Sequence, residues 1–277
     1  MRIIAVLSIL LCLFSFAGKA EEPSLNWFTS LDKALEAAQE ASKPLLVDFY
    51  ASWCAPCKIM DKEVYSDPAL VAAISRKFLP VRIDFDKQED MVRKYAVEQL
   101  PSIVFTDSYG TELFRYVGLV NAKGLADIIR ALPEDVTEFN NFSKVLREDK
   151  NNFAALYGMG KKLRSANLFR PSNEYFVKAL RTASGKNDPR QRAAILIEMG
   201  WNHLDVKDSK EAVKIFERFL KEFPHSESKP VALLGLGQAY ALTAARDKAK
   251  KHLREVIGQY PDSDAAQKAR KILDGLQ

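Results

Sequence analysis

The stretch that decides the fold is Val47-Asp48-Phe49-Tyr50-Ala51-Ser52-Trp53-Cys54-Ala55-Pro56-Cys57-Lys58. Apolar, β-branched and aromatic residues lead into the two cysteines, and such residues favour a strand. Residues that favour a helix follow the second cysteine. We therefore predict that a strand ends and a helix begins at Cys54. Cys57 would then lie one helical turn further on and on the same side of the helix.

The amino terminus has the pattern of a secretory signal. Arg2 precedes an apolar run over residues 3–17, and small residues follow before Glu21. We predict that residues 1–20 are a signal peptide and that the protein is exported, to the periplasm in a bacterial cell. An uncleaved signal that anchors the protein in the membrane is the alternative, although a membrane span needs about 20 apolar residues.

The net charge of the chain is small. The 41 basic and 36 acidic residues give +5, and removal of Arg2 and Lys19 with the signal would lower this value to +3. Such an excess is too small to indicate binding to nucleic acid or to a charged membrane surface. We therefore expect no nucleic-acid partner.

The number of cysteines indicates what the pair is for. Of the three cysteines, Cys12 lies in the predicted signal, which leaves only Cys54 and Cys57. An exported chain that relies on structural disulfides usually carries several, and these join distant segments. A bridge across one helical turn removes little entropy from the unfolded chain. We therefore interpret the two cysteines as a redox pair.

Hydrophobic periodicity divides residues 21–132 into the order helix, strand, helix, strand, helix, strand, strand, helix. Strands are expected at residues 45–50, 79–85, 103–106 and 112–117. The early strands are separated by helices, which implies parallel pairing, and a turn signal implies that the last two strands form an antiparallel hairpin at the sheet edge. The expected fold class is α/β, with a central mixed sheet flanked by helices.

The cysteine motif and several later residues resemble the thioredoxin superfamily over roughly residues 27–132. The later residues are Leu100-Pro101-Ser102-Ile103 and Gly118. Cys54-Ala55-Pro56-Cys57 followed by Ser66-Asp67-Pro68-Ala69-Leu70 is most similar to the carboxy-terminal domain of DsbD and its thioredoxin-like relatives. The resemblance implies a thioredoxin-like fold and a thiol-disulfide oxidoreductase.

Cys54 is the expected attacking group and Cys57 the expected resolving group. The amide groups at a helix amino terminus favour a thiolate, and the thiolate is the form that attacks a disulfide. A zinc site would need four ligands, whereas the three histidines lie in the other half of the chain, and haem attachment would need histidine in place of Lys58. We therefore expect no metal and no cofactor besides the redox-active disulfide.

Asp48 stands within a predicted buried strand, where an unpaired carboxylate is costly. The resemblance implies that Asp48 is a catalytic acid beneath the pair that takes and returns the proton of Cys57. The alternative is that Asp48 caps a group at a sheet edge. In thioredoxins a lysine on the neighbouring strand accompanies this acid, and Arg82 stands at the corresponding place, where it would favour the ionised form of Asp48.

Four further residues are expected to bind substrate: Trp53, Pro56, Leu100 and Pro101. Pro101 resembles the cis-proline of the family, which turns adjacent backbone outward to bind an extended substrate. An ordinary trans proline at the start of a strand is the alternative. Trp53 is expected to pack beside the cysteines with one edge exposed. Pro56 before the second cysteine resembles the reducing members of the family.

The second half of the chain lacks strand signals and repeats itself. Residues 133–150 are expected to be a linker or helix, and residues 151–277 an all-α domain. Four positions recur with a displacement of 37 residues, Gly200, Ala212, Phe216 and Pro224 against Gly237, Ala249, Leu253 and Pro261, and a fainter copy has Gly160, Ser172, Phe176 and Ala179. This pattern resembles tetratricopeptide repeats, whose period is about 34 residues. The resemblance implies recruitment of a protein partner, with dimerisation or scaffolding as the alternative.

The sequence therefore predicts an exported protein-disulfide reductase in which a thioredoxin-like domain precedes a tetratricopeptide-like helical repeat domain. Its expected partners are disulfide-containing protein substrates, a protein bound by the repeats, and an upstream thiol reductant, which can be membrane-bound. Two alternatives remain open. The same site can serve a disulfide oxidase or isomerase, or the protein can be a non-catalytic binding adaptor.

Overall fold

The computed structural model describes residues 24–276. The predicted signal peptide, residues 1–20, lies outside this part of the chain. Within residues 24–276, no helix combines the length and the apolar character needed to cross a membrane.

The first domain contains the predicted alternation of helices and strands. Its strands are β1 (Leu45–Tyr50), β2 (Leu79–Asp84), β3 (Ser102–Thr106) and β4 (Glu112–Val117). Its helices are α1 (Leu31–Ala41), α2 (Ala55–Ile59), α3 (Pro68–Lys77), α4 (Glu89–Lys94) and α5 (Ala122–Ala131). Helix α2 continues directly into a π-helical turn, Met60–Val64. The predicted mixed sheet flanked by helices is confirmed.

The four strands are arranged in the order β2-β1-β3-β4. The predicted parallel pairing holds for β1 with β2 and the predicted hairpin for β3 with β4. The expectation of parallel pairing is wrong for β3, which runs antiparallel to β1. Helix α4 has six residues and is about 9 Å long, too short to carry the chain back along a strand of about 20 Å. The chain therefore enters β3 at the edge where β1 ends.

The two faces of β1 are covered by different helices. Leu45, Val47 and Phe49 are fully buried in one apolar cluster, which includes residues of α1. Leu46 belongs to a second cluster, which includes residues of the π-helical turn and of α3. Side chains alternate along a strand, so Asp48 lies on the face of Leu46, beneath the helix that begins at the cysteines.

The second domain consists of paired helices. They are α6 (Thr137–Glu148), α7 (Phe153–Ser165), α8 (Phe169–Arg181), α9 (Ala183–Asn187), α10 (Pro189–Asp205), α11 (Ser209–Glu222), α12 (Lys229–Leu242), α13 (Arg246–Gln259) and α14 (Asp264–Asp274). The repeated positions fall on the pairs α10/α11 and α12/α13, except that Pro224 and Pro261 follow α11 and α13, and the fainter copy falls on α7/α8. A Cβ atom at Gly200 would lie 2.6 Å from the ring of Phe216, and one at Gly160 would lie 2.6 Å from the ring of Phe176. Small residues therefore allow the paired helices to approach closely, as the repeat pattern predicts.

The two domains meet at an interdomain junction formed by Asp107, Ser108, Asn140 and Ser143. The backbone N–H of Ser108 donates to Oδ1 of Asn140 at 3.0 Å, and Nδ2 of Asn140 donates to Oγ of Ser108 at 3.2 Å. Oγ of Ser143 donates to the buried carboxylate of Asp107. Phe139 of α6 is fully buried in an apolar cluster that includes residues of both domains. Residues 133–150, expected as a linker or helix, thus contain a helix that packs against the first domain.

Candidate redox site

Cys54 and Cys57 form a disulfide at the start of α2. Cys54 follows β1 and directly precedes α2, which begins at Ala55. It is the N-cap residue of this helix and has an extended backbone conformation. The backbone N–H of Cys57 donates to Sγ of Cys54 at 3.2 Å. When the disulfide is reduced, this amide stabilises negative charge on Cys54, which suits Cys54 for nucleophilic attack.

Both cysteines lie beneath the protein surface. Their exposed fractions, 3% for Cys54 and 2% for Cys57, are too similar to distinguish an attacking from a resolving group. Ala51 is buried with them, and Leu100 packs against the group. The distinction between the two sulfurs therefore rests on the helix cap, which provides an amide donor to Cys54.

Asp48 is buried in an inner strand rather than at a sheet edge. It pairs with Arg82 of β2 and with Ile103 of β3, and only 2% of its surface is exposed. The hydroxyl of Tyr65 donates to its Oδ1 at 3.1 Å. Burial raises the pKa of Asp48 to about 7, although Arg82 and the hydrogen bond from Tyr65 both lower it. A carboxyl group with this pKa can take up and release a proton near neutral pH.

Arg82 lies beside Asp48 without a hydrogen bond to it. Nε of Arg82 is 3.5 Å from Oδ2 of Asp48, and its terminal nitrogen forms an ion pair with Asp61 of the π-helical turn. The guanidinium carbon lies 4.3 Å from the ring centroid of Tyr50 and 5.3 Å from that of Trp27. As expected from its charge, Arg82 favours ionised Asp48, but the effect of burial on the pKa is larger.

The residues expected to bind substrate lie near the cysteines. The peptide bond between Leu100 and Pro101 is cis. The next residue, Ser102, pairs with Phe49 near the end of β1 where α2 begins. The carbonyl oxygen of Pro101 accepts a hydrogen bond from the N–H of Gly118 at 2.9 Å. Because β3 begins at this edge, the backbone around Pro101 lies beside the redox pair.

Trp53 precedes Cys54, and Pro56 lies between the two cysteines in sequence. Trp53 is 63% exposed, its Nε1 donates to Oδ2 of Asp86 at 2.9 Å, and its ring meets that of Phe85 edge to face. Pro56 lies in the first turn of α2, where a missing N–H costs no helical hydrogen bond. The structure thus places the largely exposed ring of Trp53 against Phe85, and its role in substrate binding stays a prediction.

Tyr65 and Asp61 belong to the site but are not among the residues predicted from the sequence. Residues 57, 61 and 65 are spaced four apart, which places them near one another on a helix, and this spacing is the sequence signal that could have identified them.

Among residues 24–276, no group of three or more His, Cys, Asp and Glu side chains is arranged to hold a metal ion.

Comparison with known proteins gives a family match in each half of the chain. Residues 31–133 match the family described as a thioredoxin-like domain, and residues 203–273 match the tetratricopeptide repeat. Thioredoxin-1 of Drosophila yakuba is 39% identical over 82 residues, which are 30% of this chain and 72% of that protein. Thiol:disulfide interchange protein DsbD 1 of Pseudomonas aeruginosa is 35% identical over 116 residues, 40% of this chain and 20% of that protein. This chain thus spans about a fifth of the DsbD relative.

Among solved structures, the oxidised carboxy-terminal domain of DsbD from Neisseria meningitidis is similar, with 24% identity and a TM-score of 0.34. The match covers 38% of this chain and 97% of that domain. The first half of the chain holds the cysteine pair, the mixed sheet and the matched residues, and the second half holds the repeats. The match of residues 31–133 and the 39% identity over 72% of thioredoxin-1 show that the chain belongs to the thioredoxin-like family, and tetratricopeptide-like repeats follow this domain.

Proposed function

We propose that the protein is an exported protein-disulfide reductase whose helical repeats recruit a protein partner. The observation that carries the proposal is the hydrogen bond from the Cys57 amide to Sγ of Cys54 at the start of a helix. A sulfur in this position is suited to attack a disulfide. The pairing of Cys54 with Cys57 gives the product that a completed reduction would leave.

The reduction proceeds in two exchanges. The Cys54 thiolate attacks one sulfur of the substrate disulfide, forms a mixed disulfide and releases the other sulfur as a thiolate. Cys57 then gives its proton to Asp48 and attacks Sγ of Cys54, which forms the Cys54–Cys57 disulfide and releases the second substrate sulfur. Two electrons pass to the substrate, whose thiolates take up protons from Asp48 and water. A thiol reductant outside this chain, membrane-bound or soluble, must then restore the dithiol.

Three features support the finer parts of the proposal. The signal-like residues 1–20 support export. Pro56 before the resolving cysteine supports the reducing direction, because it resembles the reducing members of the family. The DsbD relatives are named as thiol:disulfide interchange proteins, which supports a DsbD-like exchange of electrons between thiols and disulfides.

The repeats support recruitment of a partner because helix pairs of this kind present extended surfaces to other proteins. The junction with the first domain is formed by the turn after β3, whereas the redox pair lies at the end where β3 begins. The junction itself therefore does not cover the surface around Cys54.

The test is turnover of a protein disulfide such as that of insulin, with a chemical dithiol as the upstream reductant. We expect activity from the wild type and none from Cys54→Ser. Equal activity of the two proteins would contradict catalysis by Cys54 and favour the alternative of a non-catalytic binding adaptor. A measured potential near that of strong oxidants, about −120 mV, rather than near thioredoxins at about −270 mV, together with failure to reduce insulin, would replace the reductase by an oxidase.

The partner can be identified with Cys57→Ser, which attacks a disulfide but cannot resolve the product. We expect this variant to retain substrate proteins through a bond that dithiothreitol releases. The double variant Cys54→Ser/Cys57→Ser is the matched control, because it keeps the repeats and lacks the attacking sulfur. Proteins retained by both variants are bound by contacts other than the mixed disulfide.

A further inference from the structure

Tyr65 follows the π-helical turn and is buried within the redox domain. It is 6% exposed, and its ring meets the ring of Trp27 edge to face, with centroids 5.1 Å apart. This packing fixes the ring and directs the hydroxyl at Oδ1 of Asp48, 3.1 Å away. Burial and the nearby Asp48 raise the pKa of Tyr65 well above its usual value, so the hydroxyl stays a donor throughout the neutral range.

Tyr65 is the one side chain within residues 24–276 that donates a hydrogen bond to Asp48. Arg82 is close enough for an electrostatic contact, but its Nε makes no hydrogen bond, and its terminal nitrogen faces Asp61 instead. A buried carboxylate depends strongly on hydrogen bonds that stabilise its charge. Loss of the Tyr65 hydroxyl would therefore leave Asp48 without its donor.

We propose that Tyr65 is a positioning residue for Asp48: its hydroxyl holds the carboxylate in the ionised form and orientation that accept the proton of Cys57. This inference rests on the proposed function, since it assigns Tyr65 to the resolving step. In that step the proton moves from Sγ of Cys57 to Asp48, the Cys57–Cys54 bond forms, and the bond from Cys54 to substrate breaks. Tyr65 keeps its own proton.

The charged and titratable groups that act on Asp48 are Arg82 of β2, Asp61 of the π-helical turn and Tyr65, which follows that turn. Strand β3 contributes the apolar Ile103. Arg82 and the Tyr65 hydrogen bond lower the pKa of Asp48, and Asp61 raises it. Removal of the Tyr65 hydroxyl therefore raises the pKa further above its ordinary value.

The experiment compares wild type with Tyr65→Phe, which keeps the ring against Trp27 and removes only the hydroxyl. We expect the pH at which Asp48 titrates to rise by about one unit, measured by carbon NMR of its carboxyl group in the oxidised protein. The rate of mixed-disulfide resolution should fall about fivefold at pH 7 and recover at higher pH, because fewer Asp48 groups are ionised near neutrality.

Tyr95→Phe is the matched control. Tyr95 is also buried, and its hydroxyl donates to the carbonyl of Gly110 at 3.0 Å, away from Asp48. This variant should lose stability without any change in the pH profile. Titration of Asp48 at the same pH in wild type and Tyr65→Phe overturns the inference about Tyr65. Failure of the proposed function itself would give a different result: Cys54→Ser would then reduce insulin as well as wild type does.

Discussion

The backbone N–H of Cys57 lies 3.2 Å from Sγ of Cys54 and donates a hydrogen bond to it. This contact makes the two cysteines unequal although their exposure is nearly the same. The proposed attacking role of Cys54 therefore rests on this backbone donor, and the two sulfurs should respond differently to substitution.

Substitution of each cysteine separates the two roles. Cys54→Ser should lose more than 100-fold in turnover, because it lacks the nucleophile, whereas Cys57→Ser should still carry out one attack. The measurement is the mass of the protein after mixing with a disulfide-linked peptide. An adduct on Cys57→Ser and none on Cys54→Ser is the expected result. An adduct on Cys54→Ser alone would reverse the assignment.

Asp48→Asn should stabilise the folded protein above neutral pH. The folded state holds the proton of Asp48 up to about pH 7, whereas the ordinary pKa is 3.8. The free energy of unfolding of wild type therefore falls as the pH rises through this window, by on the order of 4 kcal/mol when it is complete. Asparagine does not titrate, so its advantage should be large at pH 8 and absent near pH 4.

Urea unfolding at several pH values measures this difference. A difference between Asp48→Asn and wild type that does not change from pH 4 to pH 8 would show that Asp48 does not titrate in this range. The same variant should resolve mixed disulfides more slowly at pH 7, because the proton acceptor for Cys57 is gone. Greater stability with lower activity is thus the combined signature.

Gly200→Ala tests the close packing of the repeats. The added methyl group would meet the ring of Phe216 at 2.6 Å and force the paired helices apart, at a cost of about 1–3 kcal/mol. Gly258→Ala on α13 is the matched control, because nothing lies within 4 Å of the added carbon. The control should gain up to about 1 kcal/mol in helix stability. Equal melting temperatures for the two variants would contradict the packing at Gly200.

Ser143→Ala tests the interdomain junction. Burial raises the pKa of Asp107, and the hydrogen bond from Ser143 opposes this effect. Loss of the donor should cost about 1–3 kcal/mol and speed proteolytic cleavage between the domains. Reduction of a small disulfide should be unchanged, because the junction lies at the far end of β3. Ser165→Ala, which removes an exposed hydrogen bond to Lys162, is the control and should show neither effect.

The sequence was sufficient where the physical signal is local. The β1 strand at residues 45–50, the helix start at Cys54 and the small residues at Gly160 and Gly200 were all predicted from spacing and residue type, and the structure confirms them. The antiparallel direction of β3 was not predicted. It depends on the edge of the sheet that the chain reaches after the short helix α4, and no local sequence pattern indicates that edge.

Of the partners of Asp48, Arg82 was expected from the family resemblance, whereas Tyr65 required the structure. Arg82 is 34 positions away in sequence, and the register of β1 with β2 places it beside Asp48. Tyr65 is 17 residues away and reaches Asp48 only because α2 crosses the sheet above it. Whether burial or the positive charge of Arg82 dominates the pKa depends on the depth of the site, which is a property of the whole domain.

The interdomain junction also fixes a distance. Strand β3 separates it from the redox pair by five residues, about 17 Å. Because the junction is packed and hydrogen-bonded, the repeats form a rigid arm rather than a free tether. A protein held by that arm would bring its disulfide to Cys54 only if it were long enough to bridge the gap, because a linkage that cannot span two sites gives no gain in effective concentration. The choice of substrate protein would then depend on its length as well as on its affinity for the repeats.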